Sequence, residues 1–151
     1  LDHLEGQLVA VHADGADLAS RVVVAGQITL TDPADLVVVG LPFTSTLQPW
    51  PIFMQLDDGS SQGRLQKVNK VTLFLHRSGF VQYADSPSGP FFDLGLRLAD
   101  DIEGPFSLKT GYFEVPQEAS FRWETETIFQ TSSSLPLTIL AVIYQMGIYG
   151  E

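Results

Sequence analysis

Cysteine is missing from all 151 residues, which excludes disulfides and thiolate metal sites outright. Long apolar runs are missing too. The longest, Leu135 to Tyr144, holds Pro136 and Thr138 and is half of the roughly 20 residues that a membrane-spanning helix needs. Membrane insertion is therefore not expected. Basic residues are scarce: 8 Lys and Arg stand against 18 Asp and Glu, for a net charge of −10. That balance disfavours tight binding to a phosphate backbone, because such binding is driven by Lys and Arg releasing counterions. Histidine is nearly absent, with only three copies. His3, His12 and His76 have no second ligand at a metal spacing, so no metal and no cofactor is expected. The chain opens on Leu1 without a basic-then-apolar leader pattern, and is expected to be a piece of something longer.

What is present points to strands. Ten Phe, four Tyr and two Trp sit among many Val, Leu and Thr, and 13 Gly with 9 Pro supply the turns between them. An apolar fraction of 44% with 17% charged residues suits a folded chain. The length fits one domain, residues 1–151, with a single core. The expected class is all-β: an antiparallel sandwich or partly closed barrel with meander or Greek-key connections.

The most strand-like stretch is Asp35 to Ser45. Leu36 to Val39 and Leu41 form a short apolar run broken by Gly40 and closed by Pro42, and it reads as a strand buried on both faces. Before it, Leu4 to His12, Arg21 to Val24 and Gln27 to Leu30 read as three further strands. Asp14-Gly15 marks a tight hairpin. Gln48-Pro49-Trp50-Pro51 is a stiff extended crossing, and Ile52 to Leu56 has strand character.

Arg64 to Arg77 is ambiguous. Leu65, Val68, Val71 and Leu75 fit a helical face, whereas Val71, Leu73 and Leu75 alternate as in a strand. The β-branched and aromatic content favours strand. Phe80 to Tyr83, Phe106 to Val115 and Phe121 to Phe129 continue the pattern. Leu135 to Ile143 reads as a second fully buried strand, the natural partner of the Asp35–Ser45 stretch. The loop-rich segment from Ala84 to Gly104 is the expected site of mobility.

Candidate chemistry is thin. Gly59-Ser60-Ser61-Gln62-Gly63 matches a nucleophile-elbow pattern, with His76 as the one later histidine. In a Gly/Ser loop of a β-rich chain the simpler reading is a chance match. Glu124 and Glu126 lie two apart, as a paired-carboxylate hydrolase or an ordinary solvated strand face would place them. The Asp-Gly clusters at Asp14 and Asp57 lack the ligand pattern of a calcium loop and read as turns. No catalytic residue is assigned, and a non-enzymatic role is expected. Trp50, Tyr83 and Trp123 are the aromatics that a carbohydrate-binding β-sandwich would expose; in most β domains such residues are core. Arg64, Lys67, Lys70 and Arg77 gather half of the basic residues into fourteen positions. Such a stripe is either a solvated face or a patch that meets an acidic neighbour.

Several stretches, taken in order, resemble the tail nozzle proteins of short-tailed bacteriophages, also known as tail tubular protein B. Val39-Gly40-Leu41-Pro42-Phe43-Thr44-Ser45 is similar to that family's VGLPYTS segment, with Phe for Tyr. Gly63 to Leu73 resembles its basic GKxKRIxxVxLRL stretch, and Leu4 to Val11 with Ala13-Asp14-Gly15 its LEGxxVxVxxDG opening. Leu135 to Ile143 is similar to its closing PLPLTILA stretch, after a looser F-x-L-x-T-G-x-x-E-V match at Phe106 to Val115. Gln66 and Phe74 depart from the pattern where the family tends to be basic, and the acidic stretch from Ala84 to Gly104 does not align.

The resemblance implies a structural role in a phage or prophage tail, made in the bacterial cytoplasm and resident in the virion. It implies the C-terminal portion of a longer chain in a ring, taken as hexameric, that contacts an adaptor ring and fibres. DNA would pass through only passively, and an acidic wall would repel its backbone. The basic stripe would then face a neighbouring subunit. The alternative is a carbohydrate-binding sandwich at a tail tip that touches the host surface.

Overall fold

The computed structural model describes residues 1–57, 59–96, 107–117, 120–124 and 126–149. Apart from one 3-10 turn at Asp2–Leu4, regular structure among these residues is strand, and every sheet is antiparallel. The all-β expectation holds. The sheets stay open, stacked in the manner of a sandwich, and none closes into a barrel.

The chain begins with β1 (Leu8–Ala13) and β2 (Ala16–Val22), joined by Asp14-Gly15 at φ 48° and 85°. Two successive positive φ angles are what a two-residue hairpin turn requires, and Asp-Gly supplies them at little cost. β3 (Val37–Gly40) returns to the other side of β1, giving the order β2-β1-β3. Val9, Val11 and Val23 form a small buried cluster under this sheet, covered by Leu4, Ile28, Leu30 and Val39.

Gln27 to Leu30 is not a strand. Ala25-Gly26 makes a second tight turn, and only the bridge between Val24 and Gln27 forms before the chain becomes irregular. Ile28 and Leu30 still pack inward, so their alternation reports burial without a ladder.

Leu41 to Thr44 carries the chain from β3 into β4 (Ser45–Leu47), an edge strand of a different sheet. Then β5 (Gln55–Leu56) and β6 (Gly59–Ser60) form a minimal hairpin, and β7 (Leu65–Ser78) is the longest strand. It is followed by β8 (Gln82–Ala84), β9 (Phe92–Asp93), β10 (Lys109–Val115), β11 (Ile128–Thr131) and β12 (Ile139–Tyr149). β7 is the centre of the sheet β10-β7-β12, and the other large sheet runs β4-β11-β8-β9. Between these two lies the main core. Val71, Leu73 and Leu75 of β7 meet Val81, Phe129, Val115 and Leu96, with Tyr83, Ile139 and Val142 packed around them.

β7 also explains why its sequence reads two ways. Gln145 of β12 stands opposite Lys70 and Met146 opposite Val68, so Asn69 is an extra residue, a β-bulge. Before it the buried positions are Gln66 and Val68; after it they are Val71, Leu73 and Leu75. The three-residue step from Val68 to Val71 imitates a helix, but it is a strand changing phase. A second irregularity near Arg77, at φ 45°, carries the buried set from Leu75 to Ser78.

Three further expectations are corrected. Leu36 to Leu41 is not buried on both faces: β3 is an edge strand, and Leu36, Val38 and Leu41 are exposed. Leu135 to Ile143 neither pairs with it nor is fully buried, because β12 pairs with β7 and alternates half-buried with exposed positions. Regular pairing near Phe121 is limited to a bridge from Arg122 to Gln66, and the strand begins only at Ile128. Residues 97–104 of the expected mobile loop, and Phe106, lie outside the described residues. The described part of that loop carries β9.

Candidate interaction surface and cleft

Within the Val39–Ser45 motif, Val39 is half-buried against the small valine cluster and the six residues after it are on the surface. Gly40, Leu41, Pro42, Phe43, Thr44 and Ser45 form the passage from the first sheet to β4, and Phe43 is 76% exposed. Pro42 closes the strand, as a residue without an N–H donor should. The entry to β3 is fixed by the hairpin turn. The Asp14 carboxylate accepts the N–H groups of Leu36 at 2.8 Å and Asp35 at 3.0 Å, and its own N–H donates to the Leu36 carbonyl. Those two donors, Leu36 first, hold the Asp14 carboxyl below its usual range. Glu5 is held low in the same way by Gly26 and Ala25, which clamps the Ala25-Gly26 turn.

A groove of about 260 Å³ opens beside the motif, between the outward face of the first sheet (Ala10, His12, Val38) and the Ser132–Ser134 turn. The Asp17 carboxylate ties the two sides together. It accepts the hydroxyls of Ser133 at 2.6 Å and Ser134 at 2.7 Å. His12 Nδ1 lies 3.1 Å from the Ser134 oxygen, whose proton is committed to Asp17, so the imidazole is the donor. The order Asp–Ser–His is a structural latch. In a catalytic triad the histidine stands between the other two.

Of the basic stripe, Lys67 and Lys70 share the solvent face of the β10-β7-β12 sheet because the Asn69 bulge lies between them. Lys70 is paired with Glu114 of the neighbouring strand, and the Lys67 ammonium sits 5.8 Å over the Phe121 ring. Arg77 is exposed at the second irregularity, where its N–H donates to Thr110 Oγ1. Arg64 precedes β7 and is half-buried. The same face carries a stacked Phe74–Tyr112 pair with centroids 4.5 Å apart, and Phe121 meets Tyr149 edge to face.

The three candidate ligand aromatics separate. Trp50 is 90% exposed on the Pro49–Pro51 crossing, and Trp123 is exposed beyond the Arg122 bridge. Tyr83 is half-buried on β8. It lines a cleft of about 430 Å³ together with Phe92, Asp85, Gln117 and Arg122, residues that no sequence motif marked. Burial, with the Asp85 charge second, pushes the Tyr83 phenol up.

The nucleophile-elbow reading loses its geometry. Ser61 is fully buried, its hydroxyl accepts the Met54 N–H at 2.8 Å, and its carbonyl accepts the Gln66 amide. His76 is exposed on β7, and no hydrogen bond among the described residues joins it to Ser61. Glu124 and Glu126 lie ahead of β11, outside any strand, so no ladder sets them as a facing pair. Among the described residues no cluster of three or more metal-ligating side chains occurs, and no helix is long and apolar enough to cross a membrane. Compared with known proteins, the chain matches no protein-family model and no curated protein.

Proposed function

We propose that this chain is a non-enzymatic building block of a phage or prophage tail nozzle, part of a homo-oligomeric ring through which DNA passes. The observation that carries the reading is the exposure of the motif stretch. Leu36, Val38, Leu41 and Phe43 are exposed apolar side chains on and just beyond the edge strand β3, and Val38, Leu41 and Phe43 line one groove, a surface that monomers seldom leave uncovered. The ordered resemblance to tail nozzle proteins says what would cover it: the next copy of the ring, or the adaptor and fibre proteins beside it.

Charge supports a head-to-tail contact. Residues 1–40 carry Asp2, Glu5, Asp14, Asp17, Asp32 and Asp35 against Arg21 alone, while Lys67 and Lys70 lie together on the solvent face of β7, with Arg77 at its far end. An acidic apolar edge on one copy facing a basic aromatic face on the next is a heterologous interface, the kind that closes rings. The net charge of −10 keeps a DNA duplex from adhering to the wall it slides past.

Light scattering at low and at physiological salt tests this. The expected result is a salt-sensitive oligomer that Phe43→Asp reduces to a folded monomer that still unfolds cooperatively. A wild-type chain that stays monomeric at every concentration and salt would overturn assembly through this surface.

A further inference from the structure

The cleft beside Tyr83 has the makings of a ligand site, independent of whether the chain forms a ring. Its wall is the Tyr83–Phe92 pair, ring centroids 5.9 Å apart and inclined at 37°. This is an apolar surface too angled to act as a parallel slot for a flat base. Arg122 is pre-positioned: its backbone bridges to Gln66, its Nε donates to Ser120 Oγ and its Nη1 to the Asp85 carbonyl, each at 3.1 Å. Those bonds fix the guanidinium while leaving the Nη2 hydrogens to donate elsewhere. Gln117 adds the decisive group. Its amide nitrogen is buried and has no hydrogen-bond partner among the described residues, a state that costs stability unless something enters to accept from it. Asp85 supplies a carboxylate on the same wall.

We infer that this cleft binds a neutral saccharide unit. Sugars present C–H groups on one face and hydroxyls around the rim, which suits an aromatic wall bordered by an amide donor, a guanidinium and a carboxylate. A volume of about 430 Å³ has room for one or two sugar rings. The Asp85 carboxylate lines the same cleft as Arg122 and reduces its net positive charge, so a neutral polyol is favoured over a phosphate or sulfate.

The test is saturation-transfer NMR on the whole chain, with methyl glucoside, methyl galactoside, methyl mannoside, rhamnose and N-acetylglucosamine as probes at millimolar concentration. Inorganic phosphate and adenosine run as controls. The expected result is transfer to the ring protons of at least one sugar, weakened about tenfold in Gln117→Leu and again in Phe92→Ser. Gln117→Leu should leave the melting temperature unchanged, since its amide nitrogen has no hydrogen-bond partner among the described residues; Phe92→Ser loses the ring pair with Tyr83 on an edge strand and should lower it by only a few degrees. No transfer to any of the five sugars would overturn the inference. So would transfer unaltered in both variants, or binding of phosphate or adenosine in place of a sugar.

Discussion

Deleting Asn69 tests whether it is a pure insertion in β7, the residue that lets a three-position step keep one face. With Asn69 present, Gln66 and Val68 share the buried side with Val71, Leu73 and Leu75. Without it Val68 stands two positions before Val71 in place of three, so strict alternation keeps the same side chains buried and leaves Lys67 and Lys70 on the solvent face. The register with β12 is kept as well, since Gln145 already stands opposite Lys70 and Met146 opposite Val68. No buried group is exposed and no charge is brought inward. The cost is limited to the local twist that the bulge supplies, about 1 kcal/mol or less. At roughly 2–4 °C per kcal/mol for a chain of this size, the midpoint should move by less than about 4 °C. Thermal unfolding followed by circular dichroism measures it. Asn69→Ala is the control that keeps the extra residue; Asn69 is exposed, and a change within about 0.5 kcal/mol is expected. A deletion variant whose midpoint falls by more than about 10 °C would refute the phase argument.

Two other outcomes follow from the same hydrogen-bond geometry. Ser61→Ala removes the buried hydroxyl that accepts the Met54 N–H and should destabilise by about 1–3 kcal/mol, read from urea unfolding; an unchanged midpoint would show that the hydroxyl does not hold the hairpin. Glu5 and Asp14 have folded-state pKa values below their ordinary 4.5 and 3.8, so their contribution is complete above those values and is lost as pH falls through the folded ones. The melting temperature should therefore hold from neutral pH to about 5 and decline below about 4.5, and Glu5→Gln with Asp14→Asn should flatten that decline. A double variant with the wild-type acid limb would place the titration elsewhere.

The fold class was legible because composition and turn chemistry are local properties. Asp14-Gly15 specifies its hairpin with two positive φ angles that few other residue pairs tolerate, and the sequence alone located that turn. Alternation located β1 and the second half of β7. Pairing was harder to read. Leu135 to Ile143 and Leu36 to Leu41 look alike as apolar strands, yet one joins β7 and the other is an edge beside β1. Partner choice depends on loop paths and bulges at Asn69, Arg77 and Leu140, none of which leaves a composition trace. The Tyr83 cleft was half visible. Tyr83 stood out as an aromatic, but Phe92, Asp85, Gln117 and Arg122 come from separate segments that only the assembled sheets bring together.

The misreading of the Asp35–Ser45 stretch is itself informative. An apolar run indicates that water is to be excluded from those side chains, and a core and an interface satisfy that demand equally. Leu36 at 67% exposure and Phe43 at 76% leave it unmet within this chain. The first sheet is too small to meet it, with three buried valines beneath it. Asp14 holds the stretch at its start, and the Asp17 latch holds the sheet behind it. An apolar edge held in place from both sides is prepared for a partner, because the ordering entropy is already spent before the contact forms. A flexible loop of the same composition would bind more weakly for the same buried area. In the ring assembly proposed above, the covering surface for Leu36 to Phe43 would belong to another subunit.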